Sequence, residues 1–553
     1  ESSPSLTGAI ADHRLSMRAA QIETIVTHAI AAELGIVEAP TSRSVLSGAL
    51  AKWIAAVIRD LQKHRGKSLV IAGEQQPPLV HALAHAMNQA LGNVDRTVIH
   101  TDPVAANPVP QNASLRELAA NMEAGKVAML LILGGNPLFN APADLNFADK
   151  FAKVKTRIHL SLYDDETSEL CHWHIPAAHT LEAWSDARAY NGTVSIIQPL
   201  IAPLYGGKSA HEVLAVFTGQ AERTSHDLVR DYWKTQRPSA NFEKFWQTSL
   251  HDGLIAGTAL PVKSVAPRID ILKTMVAKRE AKVENPLATP AAFEIIFKPD
   301  PNIGDGRFAN NGWLQELPKP LTLLTWDNAA LISPKMAERL GLGNEEVVEL
   351  KYKERSVKAP VWITPGHPDH SVTVHLGYGR TRAGKVGTGT GFNAYALRTS
   401  EAPWFGGGLE IRKTGERYKL ATTQMHHSME NRHLVRIGTL AEYASHPEFV
   451  HELGHDPPRE LTLYPEHKYE GNSWGMAIDL NSCIGCNACT IACQSENNIA
   501  VVGKEQVAIG REMHWIRVDR YYEGDLDDPA TYHQPVTCMH CENAPCEPVC
   551  PVG

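Results

Sequence analysis

Eight of the nine cysteines in this chain fall in two tight runs near its end. The first is Cys483-Ile484-Gly485-Cys486-Asn487-Ala488-Cys489-Thr490-Ile491-Ala492-Cys493, and the second is Cys538-x2-Cys541-x4-Cys546-x3-Cys550-Pro551. Thiols spaced this closely cannot be dispersed through a core, so the local fold must bring them to a common partner. In a C-x2-C-x2-C-x3-C run, three thiolates can wrap one iron–sulfide cube while the fourth is carried round the turn to a neighbouring cluster. The spacing therefore points to [4Fe-4S] binding by Cys483, Cys486, Cys489, Cys493, Cys538, Cys541, Cys546 and Cys550. Zinc competes less well, because it takes four ligands in a closed tetrahedron, usually from two separated C-x2-C pairs. A disulfide framework fits poorly with cysteines packed so near one another.

The rest of the composition is that of ordinary globular domains. A length of 553 residues predicts three or four domains. The net charge of −8, with acidic and basic residues interleaved, leaves no basic stripe, so nucleic acid is not expected as a partner. The longest wholly apolar run, Val127 to Leu133, is far too short for a transmembrane helix, so membrane association is expected only through partners. No signal-like segment follows Glu1, and the chain stops just after Cys550-Pro551, where ferredoxin-like modules normally continue; a fragment is expected.

From the start, the chain reads as α/β. Helical periodicity from about Leu46 to Leu61 leads into a predicted buried strand, Ser68 to Gly73, and a second helix near Leu79 to Leu91. The unit then repeats: Ser114-x2-Glu117 has the form of a capping box, Gly125 stops that helix near Ala124, and Val127 to Leu133 is the next strand. This alternation predicts a parallel sheet covered on both faces. Gly134-Gly135-Asn136-Pro137 at the strand's carboxyl end is placed either to approach a nucleotide or simply to make a tight turn. Cys171, His172, His174 and His179 could ligate a metal, but histidines alternating along a strand before a proline read better as structural. Asn191-Gly192 signals a turn.

The stretch 257–320 reads as a linker or crossover, and from Leu321 short alternating runs, Val347 to Tyr352, Val357 to Ile363 and Val372 to Leu376, predict a compact β-barrel. Gly377 to Gly391 and Gly406 to Gly408 read as loops. The resulting division is 1–256 α/β, 257–320 linker, 321–450 barrel and 465–553 iron–sulfur module. Within that module, Ile484, Gly485, Ala488, Ile491 and Val549 are expected to let amides approach a cluster and keep water out. Helices are expected after each cysteine run, with Pro551 fixing the chain direction.

Gly134 to Leu138, the block from Trp173-His174-Ile175-Pro176 to Tyr205-Gly206-Gly207, Asn311 to Pro318 and Gly377-Tyr378-Gly379-Arg380 resemble the later domains of the molybdopterin oxidoreductase superfamily. The final module is similar to the iron–sulfur subunits that accompany those enzymes. Fused on one chain, the two most resemble the B-subunit family of alternative complex III. The resemblance implies a doubly wound parallel-sheet region, a double-psi-like barrel and a ferredoxin-like module.

It further implies an electron-transfer subunit of a membrane-bound quinol-oxidising complex on the periplasmic face. The implied partners are integral-membrane quinol-oxidising subunits and c-type haem subunits or cytochrome c. The molybdopterin-like part is then a scaffold without molybdopterin, with Gly134, Gly135, Asn136 and Met425 to Arg432 as the remnant of a pterin-nucleotide cleft. One [3Fe-4S] cluster could accompany the [4Fe-4S] clusters in a longer chain. If the eight cysteines are self-sufficient, Cys483, Cys486 and Cys489 share a cluster with Cys550, and Cys538, Cys541 and Cys546 share one with Cys493. In four-cluster relatives the partners come from later runs. The alternatives are an active molybdenum or tungsten oxidoreductase with a fused iron–sulfur subunit, and a structural subunit holding zinc. No nucleophile, base and oxyanion constellation stands out, so no catalytic residue is expected on this chain.

Overall fold

The computed structural model describes residues 1–38, 48–238, 240–280, 293–454, 457–458, 460–462 and 465–550. The chain is a mixed α/β multidomain protein with a closed six-stranded barrel. Three parallel strands, β1 (Met129–Leu133), β2 (Thr156–Ser161) and β3 (Trp173–Pro176), form a sheet in that order. Leu130 and Ile132 point to one face and pack with Met122, Phe147 and Phe151 from the helices Gln111–Glu123 and Phe147–Phe151. The helix before β1 starts at Gln111, so Ser114 lies inside it rather than at its cap; Gly125, at φ +67°, ends it as expected.

The strand expected at Ser68 to Gly73 pairs with no strand among the described residues. The Asn88 side chain, on the helix Pro78–Ala90, supplies what a neighbouring strand would. Its amide donates to the Val70 carbonyl at 2.7 Å and its oxygen accepts the Val70 N–H at 2.9 Å. Ile71 is left largely exposed.

β4 (Ser185–Arg188) and β5 (Val194–Ile197) pair antiparallel around Gly192 at φ +88°, where the Asn-Gly signal lies, and β6 (Leu254–Ile255) joins them. The helices Ser225–Gln236 and Phe242–Asp252 cover this sheet with Trp233 and Trp246.

The stretch 257–320 is not merely a linker. It carries the helix Ile269–Glu280 and barrel strand β7 (Phe293–Pro299), while residues 281–292 lie outside the described ones. The run Phe293 to Phe297 lacks a polar–apolar alternation because β7 is buried on both sides, apart from its end. After β8 (Leu324–Thr325), the barrel continues with β9 (Ala330–Ile332), β10 (Glu346–Tyr352), β11 (Arg355–Ile363), β12 (Ser371–Leu376) and β13 (Phe405–Arg417). The barrel closes in the order β10-β11-β9-β12-β7-β13, with parallel pairs β11/β9 and β12/β7. Ile295, Phe297, Leu350, Val361, Val372 and Val374 fill it.

Gly406 to Gly408, expected as a loop, belong to β13. A methyl group on Gly406 would sit 2.0 Å from the Tyr352 hydroxyl, and Gly408, at φ +94°, lies where the β13/β7 register shifts. Glycine here permits close strand approach and a bulge rather than a flexible turn. Short β14 (Ala421–Thr422) pairs with β8 and leads out of the barrel.

Candidate iron–sulfur site

Asp479 shapes the approach to the first cysteine run. Its carboxylate accepts from the Asn481 N–H at 3.0 Å and the Ser482 hydroxyl at 2.7 Å, and its carbonyl accepts from Cys483 N–H at 3.1 Å. Gly485 then turns at φ +69° and Asn487 at φ +60°, both left-handed conformations. The helix Ala488–Glu496 begins at once. It therefore starts inside the cysteine run rather than after it, with Cys489 and Cys493 one turn apart on its surface. The Asn497 side-chain amide donates to the Cys493 carbonyl at 3.0 Å and lies 3.5 Å from its sulfur.

The second run follows a hairpin, β15 (Arg517–Glu523) with β16 (Ala530–Val536), paired from Arg517↔Val536 to Glu523↔Ala530. Cys538, Cys541, Cys546 and Cys550 are exposed, as are Cys486 and Cys489; Cys483 and Cys493 are half-buried. Of the residues expected to shield a cluster, Gly485 is buried and Ile491 half-buried, while Ile484, Ala488 and Val549 are exposed. Pro551 and any helix after the second run lie outside the described residues.

The donor set fits iron–sulfur chemistry. Eight free cysteines, soft donors of the kind iron takes, stand in the two runs, with Gly485 and Asn487 turning the chain through the first of them. Among the described residues no three His, Cys, Asp or Glu side chains converge as one metal ion would require.

His172, His174 and His179 are spent on hydrogen bonds. The Arg157 N–H donates to His172 Nδ1 at 3.1 Å, His174 Nε2 lies 3.2 Å from the Ser161 hydroxyl, and the Leu181 N–H donates to His179 Nδ1 at 3.2 Å. Burial pushes the Cys171 thiol up to about 11, which makes it a poor thiolate.

The module is seated on the segment between β7 and β9. The helix Gly312–Glu316 presents Trp313, whose indole N–H donates to the Ile499 carbonyl at 2.7 Å. Glu316, 1% exposed, accepts from the N–H groups of Val502 and Gly503 at 3.1 and 2.8 Å and from the Trp326 indole at 3.2 Å. Asn487 donates from its side chain to the Pro318 carbonyl at 2.7 Å. Lys504 pairs with buried Asp327 at 2.7 Å; burial pulls its ammonium down, but the carboxylate outweighs that and holds it above its ordinary value.

Trp326, Ala421 and Val507 pack between the two parts. Gln424 clamps the backbone of Arg520 from both sides, at 2.8 and 2.9 Å, and the Tyr522 N–H donates to the His427 carbonyl at 2.8 Å. Trp313, Glu316 and Pro318 lie in the Asn311 to Pro318 block that carries the family resemblance, but nothing in the sequence marks them as a seat; Asn487 fits the preference of Asn for a left-handed turn.

The remnant-cleft residues are drawn elsewhere. Gly134 and Gly135, at φ +71° and +74°, turn the chain at the end of β1. The Asn136 amide donates to Glu166 at 2.7 Å, and its oxygen accepts from the Thr167 hydroxyl at 2.7 Å. Glu166 is held in turn by Arg380, at 2.7 to 3.0 Å. Burial pushes the Glu166 carboxyl up, but the hydrogen bonds of Arg380, Asn136 and the Arg382 N–H outweigh it and bring it to about 2. Met425 to His427 instead run beside β15. No hydrogen bond among the described residues joins this segment to Gly134, Gly135 or Asn136.

Comparison with known proteins matches the two parts separately. The family model "4Fe-4S dicluster domain" matches residues 482–553. The menaquinone reductase molybdopterin-binding-like subunit of Nitratidesulfovibrio vulgaris is 24% identical over 407 residues, covering 68% of this chain and 57% of that protein. The iron–sulfur cluster-binding subunit of the menaquinone reductase of the same organism is 41% identical over 83 residues, covering 14% of this chain and 31% of the relative. The chain thus spans just over half of the first relative and about a third of the second. Among solved structures, acetylene hydratase from Pelobacter acetylenicus aligns with a TM-score of 0.39 at 16% identity, over 54% of this chain and 46% of that one. The C-terminal module is a 4Fe-4S ferredoxin domain, and the part before it is similar to a molybdopterin-binding-like subunit.

Proposed function

We propose that the chain is the iron–sulfur electron-transfer subunit of a membrane-bound, quinol-oxidising respiratory complex of the alternative complex III type. The observation that carries this reading is that its two parts are similar to two differently named subunits of one quinone-linked enzyme, here joined on a single chain. The seat built by Trp313, Glu316, Pro318 and Asp327 supports that reading, because it ties the ferredoxin-like module to the part before it. In this account the eight cysteines hold [4Fe-4S] clusters that carry electrons from quinol towards c-type haem or cytochrome c. The molybdopterin-like part is a cofactor-free scaffold. The engagement of Asn136 by Glu166 and Thr167 supports that role.

In this reading the complex lies on the periplasmic face and integral-membrane partners hold it there. Among the described residues, no helix is long and apolar enough to cross a membrane. The test is metal analysis of the purified complex together with quinol-driven reduction of its clusters. Iron without molybdenum or tungsten, with clusters reduced by quinol, is the expected result; stoichiometric molybdenum overturns the scaffold reading.

A second reading, an active molybdenum or tungsten oxidoreductase with its iron–sulfur part fused on, draws on one feature. Side chains added at Gly134 and Gly135 would meet nothing within 4 Å, so the carboxyl end of β1 is open to a ligand. The same metal analysis separates the two.

A further inference from the structure

His533 stands on β16, 6% exposed, with both ring nitrogens buried and without a hydrogen-bond partner. Buried polar groups are almost always satisfied, and one left unpaired in a native fold calls for an explanation such as a missing ion or group. The ring lies against the first cysteine loop. A methyl group on Gly485 would fall 2.2 Å from His533 Nδ1 and 2.4 Å from Cε1 and Cγ, so glycine between Cys483 and Cys486 is what lets the loop close over the imidazole. Arg520, its cross-strand partner, is itself 2% exposed.

We propose that His533 donates a ring N–H to a sulfur carried by the Cys483–Cys486 loop, either a cysteine thiolate or a sulfide of the cluster, and thereby sets the potential of that cluster. The inference rests on the iron–sulfur reading of the module and adds to it a residue outside the cysteine runs. A neutral imidazole carries one ring N–H to give. A hydrogen bond to sulfur draws off electron density, stabilises the reduced cluster and raises its potential. His533 is on this account a positioning and tuning residue rather than a ligand.

The test compares His533→Phe, which keeps ring shape without a donor, with His533→Gln, which keeps a donor, in the full protein with its clusters assembled. Iron and acid-labile sulfide are measured first, and reduction is then followed by redox-poised electron paramagnetic resonance. Full iron content with a shift of one cluster to lower potential in His533→Phe, and a smaller shift in His533→Gln, is the expected result. Full iron with no shift in His533→Phe overturns the inference while leaving the cluster reading intact; a wild-type protein without iron removes the cluster reading itself. If His533→Phe does not assemble, pulsed resonance on wild-type protein carrying 15N-imidazole histidine decides: a coupled nitrogen supports the contact, and its absence overturns it.

Discussion

The side-chain amide of Asn487 reaches the backbone carbonyl of Pro318 across 2.7 Å, tying a turn inside the first cysteine run to the segment that enters the barrel. Asn487 is buried and left-handed, so it serves two needs at once. Asn487→Gly keeps the turn and loses the hydrogen bond, at a cost of about 1–3 kcal/mol. Asn487→Ala loses the bond and adds the left-handed penalty of about 1–2 kcal/mol. Denaturant unfolding should rank the stabilities wild type above Asn487→Gly above Asn487→Ala. Equal stability of all three would contradict the contact.

Glu316 is the centre of the seat. Replacing it with Gln turns an amide N–H₂ towards at least one of the three donors it now accepts. Hydrogen bonds to a charged acceptor contribute about 1.5–3 kcal/mol, so amide exchange at Val502 and Gly503 should accelerate by roughly 10- to 100-fold. Unchanged exchange at those two amides would show that the module is held elsewhere.

Between the α/β part and the barrel, the buried pair is Glu166 and Arg380. Arg380→Met removes the guanidinium and leaves Glu166 only the hydrogen bonds of Asn136 and of the Thr381 and Arg382 N–H groups, with an expected loss of about 1–3 kcal/mol. The pH dependence has a definite sign. Glu166 is held at about 2 in the folded protein, below its ordinary value of 4.5, so its stabilisation is complete above about pH 4.5 and is lost as the pH falls towards 2. Acid unfolding of Arg380→Met should show a shallower dependence over that window. An unchanged slope would mean that the pair contributes nothing.

Gly406 faces the Tyr352 hydroxyl across the barrel wall. Gly406→Ala should destabilise by about 1–3 kcal/mol through overpacking, and Tyr352→Phe in the same protein should recover part of that by removing the oxygen. Thermal unfolding of the two single variants and the double variant tests the coupling. Additive losses would contradict it.

Elements with local causes were legible in the sequence. The β10, β11 and β12 alternation, the Asn191-Gly192 turn and the glycine stop at Gly125 each follow from side chains within a few positions. What was not legible depends on distant partners. Ser68 to Gly73 has the composition of a buried strand, yet Asn88 takes up its hydrogen bonds. The Gly406 to Gly408 triplet looks like a loop until Tyr352 is brought against it. β7 was hidden in a proline- and lysine-rich stretch because its neighbours on the sheet come from far along the chain. The cysteine spacing announced the candidate ligands; Trp313 and Glu316 lie in the Asn311 to Pro318 block that carries the family resemblance, but neither that block nor His533 signals the contact it makes. Their roles appear only when segments nearly 190 residues apart, such as Glu316 and Gly503, or 48 apart, such as Gly485 and His533, meet in space.

The central claim is that Cys483, Cys486, Cys489, Cys493, Cys538, Cys541, Cys546 and Cys550 hold iron–sulfur clusters. The most direct measurement is iron, zinc and acid-labile sulfide content of the anaerobically purified protein, beside the resonance spectrum of its reduced form. Iron and sulfide in equal amounts, with a cluster signal that is lost when Cys486 and Cys541 are replaced by Ser, is the predicted result. Stoichiometric zinc with no sulfide and no resonance signal would contradict it.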